Sequence, residues 1–179
     1  LRLSADTLDL DAGETLTVSV DVTNAGERGG QEVVQLYIAD PEGRVLALDA
    51  LTGEKIWEAA TDAPFSGGPG ITGEVILVGT ADGELLALDR ETGEVRWRRW
   101  VSSEVLSAPA GESGLAVVRT VDGQITGLAA ASGETQWTFS RSVPVLTLRG
   151  NASPLVHEGR VIAGFANGKL ASLALIPAI

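Results

Sequence analysis

The side chains able to do chemistry in this chain are few and far apart. His157, in SPLVHEG, is the only histidine, so a metal site or a serine–histidine pair lacks its second part. Its place beside a Gly reads as a turn or surface histidine. Cysteine is absent, which removes disulfides, thiolate ligands and a sulfur nucleophile. Acidic residues outnumber basic ones to give a net charge of −11. Such a chain repels a phosphate backbone. Arg96, Arg98 and Arg99 interleave with Trp97 and Trp100, the pattern of a small nucleic-acid patch. In so acidic a chain they read instead as the solvated face of a strand, with stems packed on tryptophan. The carboxylates fall mostly in turns, where solvent exposure is the expectation. No Gly-rich phosphate loop is present. No catalytic, cofactor-binding or metal-binding residue is assigned, and neither nucleic acid nor a small-molecule substrate is expected.

The remaining motifs are architectural. Gly43, Gly83 and Gly123 are spaced 40 and 40 apart, and so are Trp57, Trp97 and Trp137. A fourth unit begins at Gly168, after an interval of 45, and stops before any Trp. A period near 40 built of short alternating apolar runs marks propeller blades or a similar stacked array. The second unit predicts strands over 74–80 (EVILVGT), 84–89 (ELLALD) and 95–100 (VRWRRW). The third predicts them over 115–120, 124–129 and 135–140. Asp82-Gly83, Asp122-Gly123 and Asn167-Gly168 are hairpin signals, since both residue types tolerate positive φ. In the second turn Asp89 is placed to accept backbone N–H bonds, with Gly93 in the left-handed position. The outer-strand Trp is large and flat, suited to the wedge against a neighbouring blade.

The pattern A-x-D-x-x-T-G-x-x-x-W resembles the pyrroloquinoline-quinone-type propeller repeat. Ala47, Asp49, Thr52, Gly53 and Trp57 match it, as do Ala87, Asp89, Thr92, Gly93 and Trp97. The third copy keeps Gly133 and Trp137 but has Gly127, Ala129 and Ser132 elsewhere, so its turn should be less well tied. Within that class, 66–89 (SGGPGITGEVILVGTADGELLALD), 101–109 (VSSEVLSAP), 144–154 (PVLTLRGNASP) and the run AGFANGKLASL resemble the BamB family over about 43–175. These are propeller lipoproteins of the machinery that inserts β-barrels into the bacterial outer membrane. The resemblance implies a non-enzymatic scaffold without cofactor, a periplasmic location tied to the outer membrane by a lipid, and contact with the periplasmic part of BamA, the barrel insertase, through Leu146, Leu148 and Arg149. The family's lipid-bearing Cys has no counterpart, so the chain as given is expected to be soluble. The quinone-binding dehydrogenases of the wider class fit less well, since their vicinal Cys pair is missing. Against this bacterial resemblance, Asn151-Ala152-Ser153 is a chance match to the glycosylation triplet.

Residues 1–40 differ in composition, carrying a net charge of −6 against −5 for all of 41–179. Leu16, Val18, Val20 and Val22 alternate with polar residues, as do Val34, Leu36 and Ile38, so both runs read as strands with one buried face. VTNAG at 22–26 and EVVQLY at 32–37 resemble the fibronectin type III-like module that ends many family 3 glycoside hydrolases. Two domains are therefore expected, 1–40 and 41–179. The run 33–38 can stand in for the strand that precedes a hairpin in a blade.

The expected fold is all-β: a partial propeller of about four antiparallel blades, the last without its outer strand, preceded by the fibronectin-like segment. A spare N-terminal strand pairing with the last sheet would close or partly close the ring; otherwise open edges invite self-association. No apolar run approaches the roughly 18 residues that span a bilayer. No signal peptide is visible. The chain begins at Leu1 and has no Met, which predicts a fragment or processed product. The functional alternatives are an accessory β-module of a carbohydrate-active enzyme, and a chimeric or generated propeller fragment with no evolved partner.

Overall fold

The computed structural model of the chain describes residues 35–141, 152–165 and 168–175. Every regular element among them is a strand, and all pairing is antiparallel. Sheet 1 holds β1 (Gln35–Ala39), β2 (Arg44–Asp49) and β3 (Lys55–Ala60). Sheet 2 holds β4 (Gly70–Thr72), β5 (Val75–Gly79), β6 (Glu84–Asp89) and β7 (Val95–Trp100). Sheet 3 repeats it with β8 (Ala110–Glu112), β9 (Leu115–Arg119), β10 (Gln124–Ala129) and β11 (Thr135–Ser140). Sheet 4 holds β12 (Leu155–His157), β13 (Arg160–Gly164) and β14 (Leu170–Ala174).

The expected all-β, four-sheet architecture is therefore the observed one, and the strands expected in the second and third units fall within a residue or two of β5–β7 and β9–β11. Among the described residues sheet 4 ends at β14, without an outer strand. β1 does stand in as a blade strand. It pairs with β2 in the register of the inner sheets, with Gln35 opposite Asp49 as Val75 is opposite Asp89 and Leu115 opposite Ala129. One expectation needs correction. The unit is strand–turn–strand three times over in sequence, yet sheets 2 and 3 have a fourth, innermost strand of three residues each. Gly-containing runs of that length are too short to show alternation.

The sheets stack face to face in chain order. Side chains alternate across each strand, so Val75, Leu77, Leu85 and Ala87 of sheet 2 meet Ala116, Val118 and Leu128 of sheet 3. Leu115, Val117 and Ile125 on the opposite side of sheet 3 meet Val161 and Ala163 of sheet 4. Val45 of sheet 1 likewise meets Val78, Leu86 and Leu88. β5 and β9 are consequently buried at all five positions, which is why they read as unbroken apolar runs. Each fully buried Leu or Ile contributes about 1.5–3 kcal/mol, against about 1 kcal/mol for a typical hydrogen bond. Stacking of sheets is thus the main stabilising effect, and the turns set its geometry.

Candidate partner interface

Backbone bonds sort the connections onto two rims. On one rim lie the β1–β2, β5–β6 and β9–β10 hairpins together with the linkers between sheets. Thr61, Val101 and Arg141, the first residues of three linkers, donate N–H to the carbonyls of Gly43, Gly83 and Gly123. On the other rim lie the D-x-x-T-G turns, where Arg90 N–H reaches Glu74 O and Ala130 N–H reaches Gly114 O.

The D-x-x-T-G rim couples neighbouring sheets. Asp49 Oδ1 accepts N–H bonds from Leu51 and Thr52 at 2.8 and 2.9 Å. Asp89 Oδ1 accepts from Glu91 and Thr92, both at 2.8 Å, and its other oxygen pairs with Arg96. The Thr92 N–H and then Arg96 hold the Asp89 carboxyl at about 2, well below the usual range. Into the back of each turn fits the indole of the preceding sheet. Trp57 Nε1–H donates to Arg90 O at 3.1 Å, and Trp97 Nε1–H to Ala130 O at 2.8 Å. Trp137 Nε1–H reaches Leu175 O at 2.6 Å. The rings lie where a Cβ on Gly93 or Gly133 would stand, 2.6 Å from the nearest ring carbon in both cases. Gly127, at the position of Ala47 and Ala87, leaves room for the Trp137 ring, since a Cβ there would collide with it.

The third turn lacks the carboxylate. Gly133 N–H still bonds Ala129 O at 2.8 Å, but the two side-chain bonds made by Asp49 and Asp89 have no counterpart. Ala129→Asp should restore them and raise the melting temperature at neutral pH by roughly 2–4 °C. A carboxyl whose folded pKa is depressed stabilises above its unfolded value near 3.9 and loses that effect as pH falls through the folded value. Gln136 stands where the Asp89 turn has Arg96, so the backbone bonds alone would depress the folded value, and the gain should fade as pH falls below about 4, which melting curves at stepped pH would show.

The three arginines of β7 are all engaged, while Trp100 is exposed. Arg96 pairs with Asp89, Arg98 bonds Asp62 at 2.5 Å, and Arg99 donates to the carbonyls of Gly133 and Ser132 at 3.1 and 3.0 Å. His157 ends β12 with its side chain 73% exposed.

Leu146, Leu148 and Arg149 lie outside the described residues, as do 1–34. Their flanks are described. The linkers after β3 and β7 have nine residues each, and the one after β11 has fourteen. The five extra residues therefore fall in the linker that holds these three. At its start Arg141 stands over the Phe165 ring at 5.8 Å. At its end Ala152 O accepts from Arg119 Nη1 at 3.2 Å. Arg119 is 3% exposed, stands over the same Phe165 ring at 5.4 Å and has no carboxylate partner among the described residues. Burial lowers its pKa from the ordinary value. Sequence reading passed over Arg119. The available signal was its register: Ala39 and Gly79 hold the same position in sheets 1 and 2.

Antiparallel sheets repeated every 40 residues, each stapled to the next by an outer-strand indole, define a β-propeller repeat protein. The family described as outer membrane protein assembly factor BamB matches residues 41–176, and the chain belongs to that family. The assembly factor BamB of Pseudomonas aeruginosa is 64% identical over 138 residues, covering 77% of this chain and 36% of that protein. The crystal structure of BamB from Moraxella catarrhalis superposes with a TM-score of 0.74 at 30% identity, over 81% of this chain and 45% of that one. A β-glucosidase of Rhizobium radiobacter is 63% identical over 30 residues, 17% of this chain and 4% of that enzyme. The chain spans about a third of the length of the BamB relatives it matches over most of its own.

Proposed function

We propose that this chain is a non-enzymatic protein-interaction scaffold, part of a BamB-like factor for outer-membrane β-barrel assembly. It works on the periplasmic side of that membrane and holds the periplasmic part of a BamA-like insertase. The observation that carries this reading is the fourteen-residue linker on the hairpin rim of a BamB-family stack. Extra residues in a repeat array map to loops, often on the binding face, and here rigid sheets support the loop at both ends. Leu146 and Leu148 are two apart and project to one side of an extended segment. With Arg149 beside them they make a small hot spot. Leu146→Ala with Leu148→Ala, or Arg149→Glu alone, should weaken binding to the insertase's periplasmic part by about tenfold or more, the mark of a hot spot, with the melting temperature nearly unchanged. Unfolding of the double variant would show the leucines to be core. Undiminished binding of Arg149→Glu would remove that residue from the interface.

We propose further that residues 1–40 have a separate origin from 41–179. Their alternation and their charge support that division. Retention of the chain on a polysaccharide column would show that the segment kept a carbohydrate role.

A further inference from the structure

Among the described residues no sheet stands before sheet 1 or after sheet 4, so each of the two presents one side that no other sheet covers. On sheet 1 that side carries Leu36, Ile38, Leu46 and Leu48. The same register positions of sheet 2 are Ile76, Val78, Leu86 and Leu88, all 0% exposed. In sheet 1 none of the four is buried, and Ile38 is 42% exposed. On sheet 4 the free side carries Leu155, Ile162 and Leu170, which are 58%, 38% and 75% exposed, beside His157, Arg160, Ser172 and Ala174. Leu77 and Leu85, the equivalents of Ile162 and Leu170 in sheet 2, are 0% exposed. One face is thus of the kind that lies on a preceding sheet, and the other of the kind that receives a following one.

The two faces suit each other. The charged end of the sheet 4 face lies at the D-x-x-T-G rim, where His157 pairs with Arg160 and Arg160 with Ala174. There a guanidinium keeps its head in water while its stem covers the sheet, and Arg160 Nη1 already donates to Ser172 Oγ at 3.1 Å. Gln35 holds the register position of Arg160 in sheet 1 and is half-buried, so a long polar side chain has a place at this rim of the stack. Away from the rim the face is apolar. Leu155 stands where sheet 2 has Gly70, which makes the inner edge of the free face more apolar than its covered counterpart. A second copy with its sheet 1 laid on sheet 4 continues the stacking made three times within the chain. Between sheets 1 and 2 Val78 shares a core with Val45, and Ile76 with Tyr37. The equivalent positions across two copies bring Ile38 to Leu170 and Leu36 to Ile162, aliphatic on aliphatic in both. Contacts between unlike faces run on until the rotation closes them. The four sheets superpose on 45% of the Moraxella catarrhalis BamB chain, and propellers close at up to about eight blades, so two copies are enough to come full circle.

We infer that two copies of this chain associate head to tail, sheet 4 of each on sheet 1 of the other, and close a ring with four sheets from each copy. Each junction lacks the staple of the internal ones. No Trp follows Trp137, so the seat at Gly53, with nothing within 4 Å of its Cβ position among the described residues, receives no indole. The dimer is consequently reversible and depends on concentration.

The full chain has no cysteine, so introduced thiols report cleanly. Ile38→Cys and Leu170→Cys chains, mixed and treated with a short bismaleimide, should give a covalent dimer, and neither variant alone should. Dimers from Ile38→Cys alone would overturn the inference in favour of sheet 1 on sheet 1, and dimers from Leu170→Cys alone in favour of sheet 4 on sheet 4. A chain carrying both substitutions should stop at dimers. A series of larger products would overturn the ring in favour of an open filament, and an internally linked monomer would show the two faces meeting within one chain. Light scattering over a concentration series gives a reading that needs no thiol. It should reach twice the chain mass, and Ile38→Asp or Leu170→Asp should raise the concentration of half-dimerisation by about tenfold or more. Trp100→Asp, on an exposed residue outside both faces, should leave it unchanged. Equal effects of all three substitutions, or monomers alone up to millimolar concentration in a chain with β-type circular dichroism, would overturn the inference outright.

Discussion

Gly93→Ala should destabilise the chain by about 3 kcal/mol, the sum of left-handed strain and overpacking against a ring. Gly53→Ala should cost only about 1 kcal/mol, since strain alone applies there and a stiffer unfolded chain offsets part of it. The two glycines have nearly the same φ and sit in the same D-x-x-T-G turn. They differ in one respect: a Cβ at Gly93 would stand 2.6 Å from Trp57, whereas at Gly53 it would meet nothing among the described residues. Guanidinium denaturation of the two variants therefore isolates the contact between sheets from the backbone requirement. Equal losses would mean that the indole yields at no cost and that the seat contributes little.

The second large effect is expected at Trp97. Trp97→Ala should cost about 3–5 kcal/mol, the range for deleting a buried aromatic. Trp97 is 8% exposed and lies in the core between sheets 2 and 3. Trp97→Phe keeps most of the packing but leaves Ala130 O without its donor, a loss of about 1–3 kcal/mol. Trp100, three residues on, is 71% exposed, and Trp100→Ala should stay within about 0.5 kcal/mol of the parent. Denaturation midpoints that rank Trp100→Ala beside Trp97→Ala would mean that the core between these sheets does not depend on the indole.

These contrasts show where sequence reading succeeds and where it stops. β6 and β10 are legible to the residue because a D-G hairpin fixes one end and a Gly turn the other. β4 and β8 are not, because three residues with a glycine among them carry no period. The tryptophan wedge could be foreseen from size and spacing, but its acceptor could not. Arg90 O and Ala130 O are backbone atoms 33 residues away, and no side-chain pattern reports them. Arg119 escaped notice because a charged residue within an apolar strand reads as surface, while here the strand is covered on both sides. Leu146, Leu148 and Arg149 were named through family resemblance, and geometry supplies only the length of their linker and what holds its ends.

The indoles of Trp57, Trp97 and Trp137 all point one way along the chain, from each sheet to the one that follows. Synthesis runs in the same direction. A nascent chain that has just completed β7 exposes Trp97 until β10 and its turn emerge, and the same debt passes to Trp137 when β11 is made. The growing end thus always carries one uncovered aromatic, and each new sheet quenches the last and displays its own. Clipping at the two termini is correspondingly unequal. Loss of sheet 1 bares the Ile76, Val78, Leu86 and Leu88 face and a notch at Gly93, whereas loss of sheet 4 bares the Leu115, Val117 and Ile125 face together with an indole whose N–H has lost its acceptor, a surface that chaperones and proteases recognise.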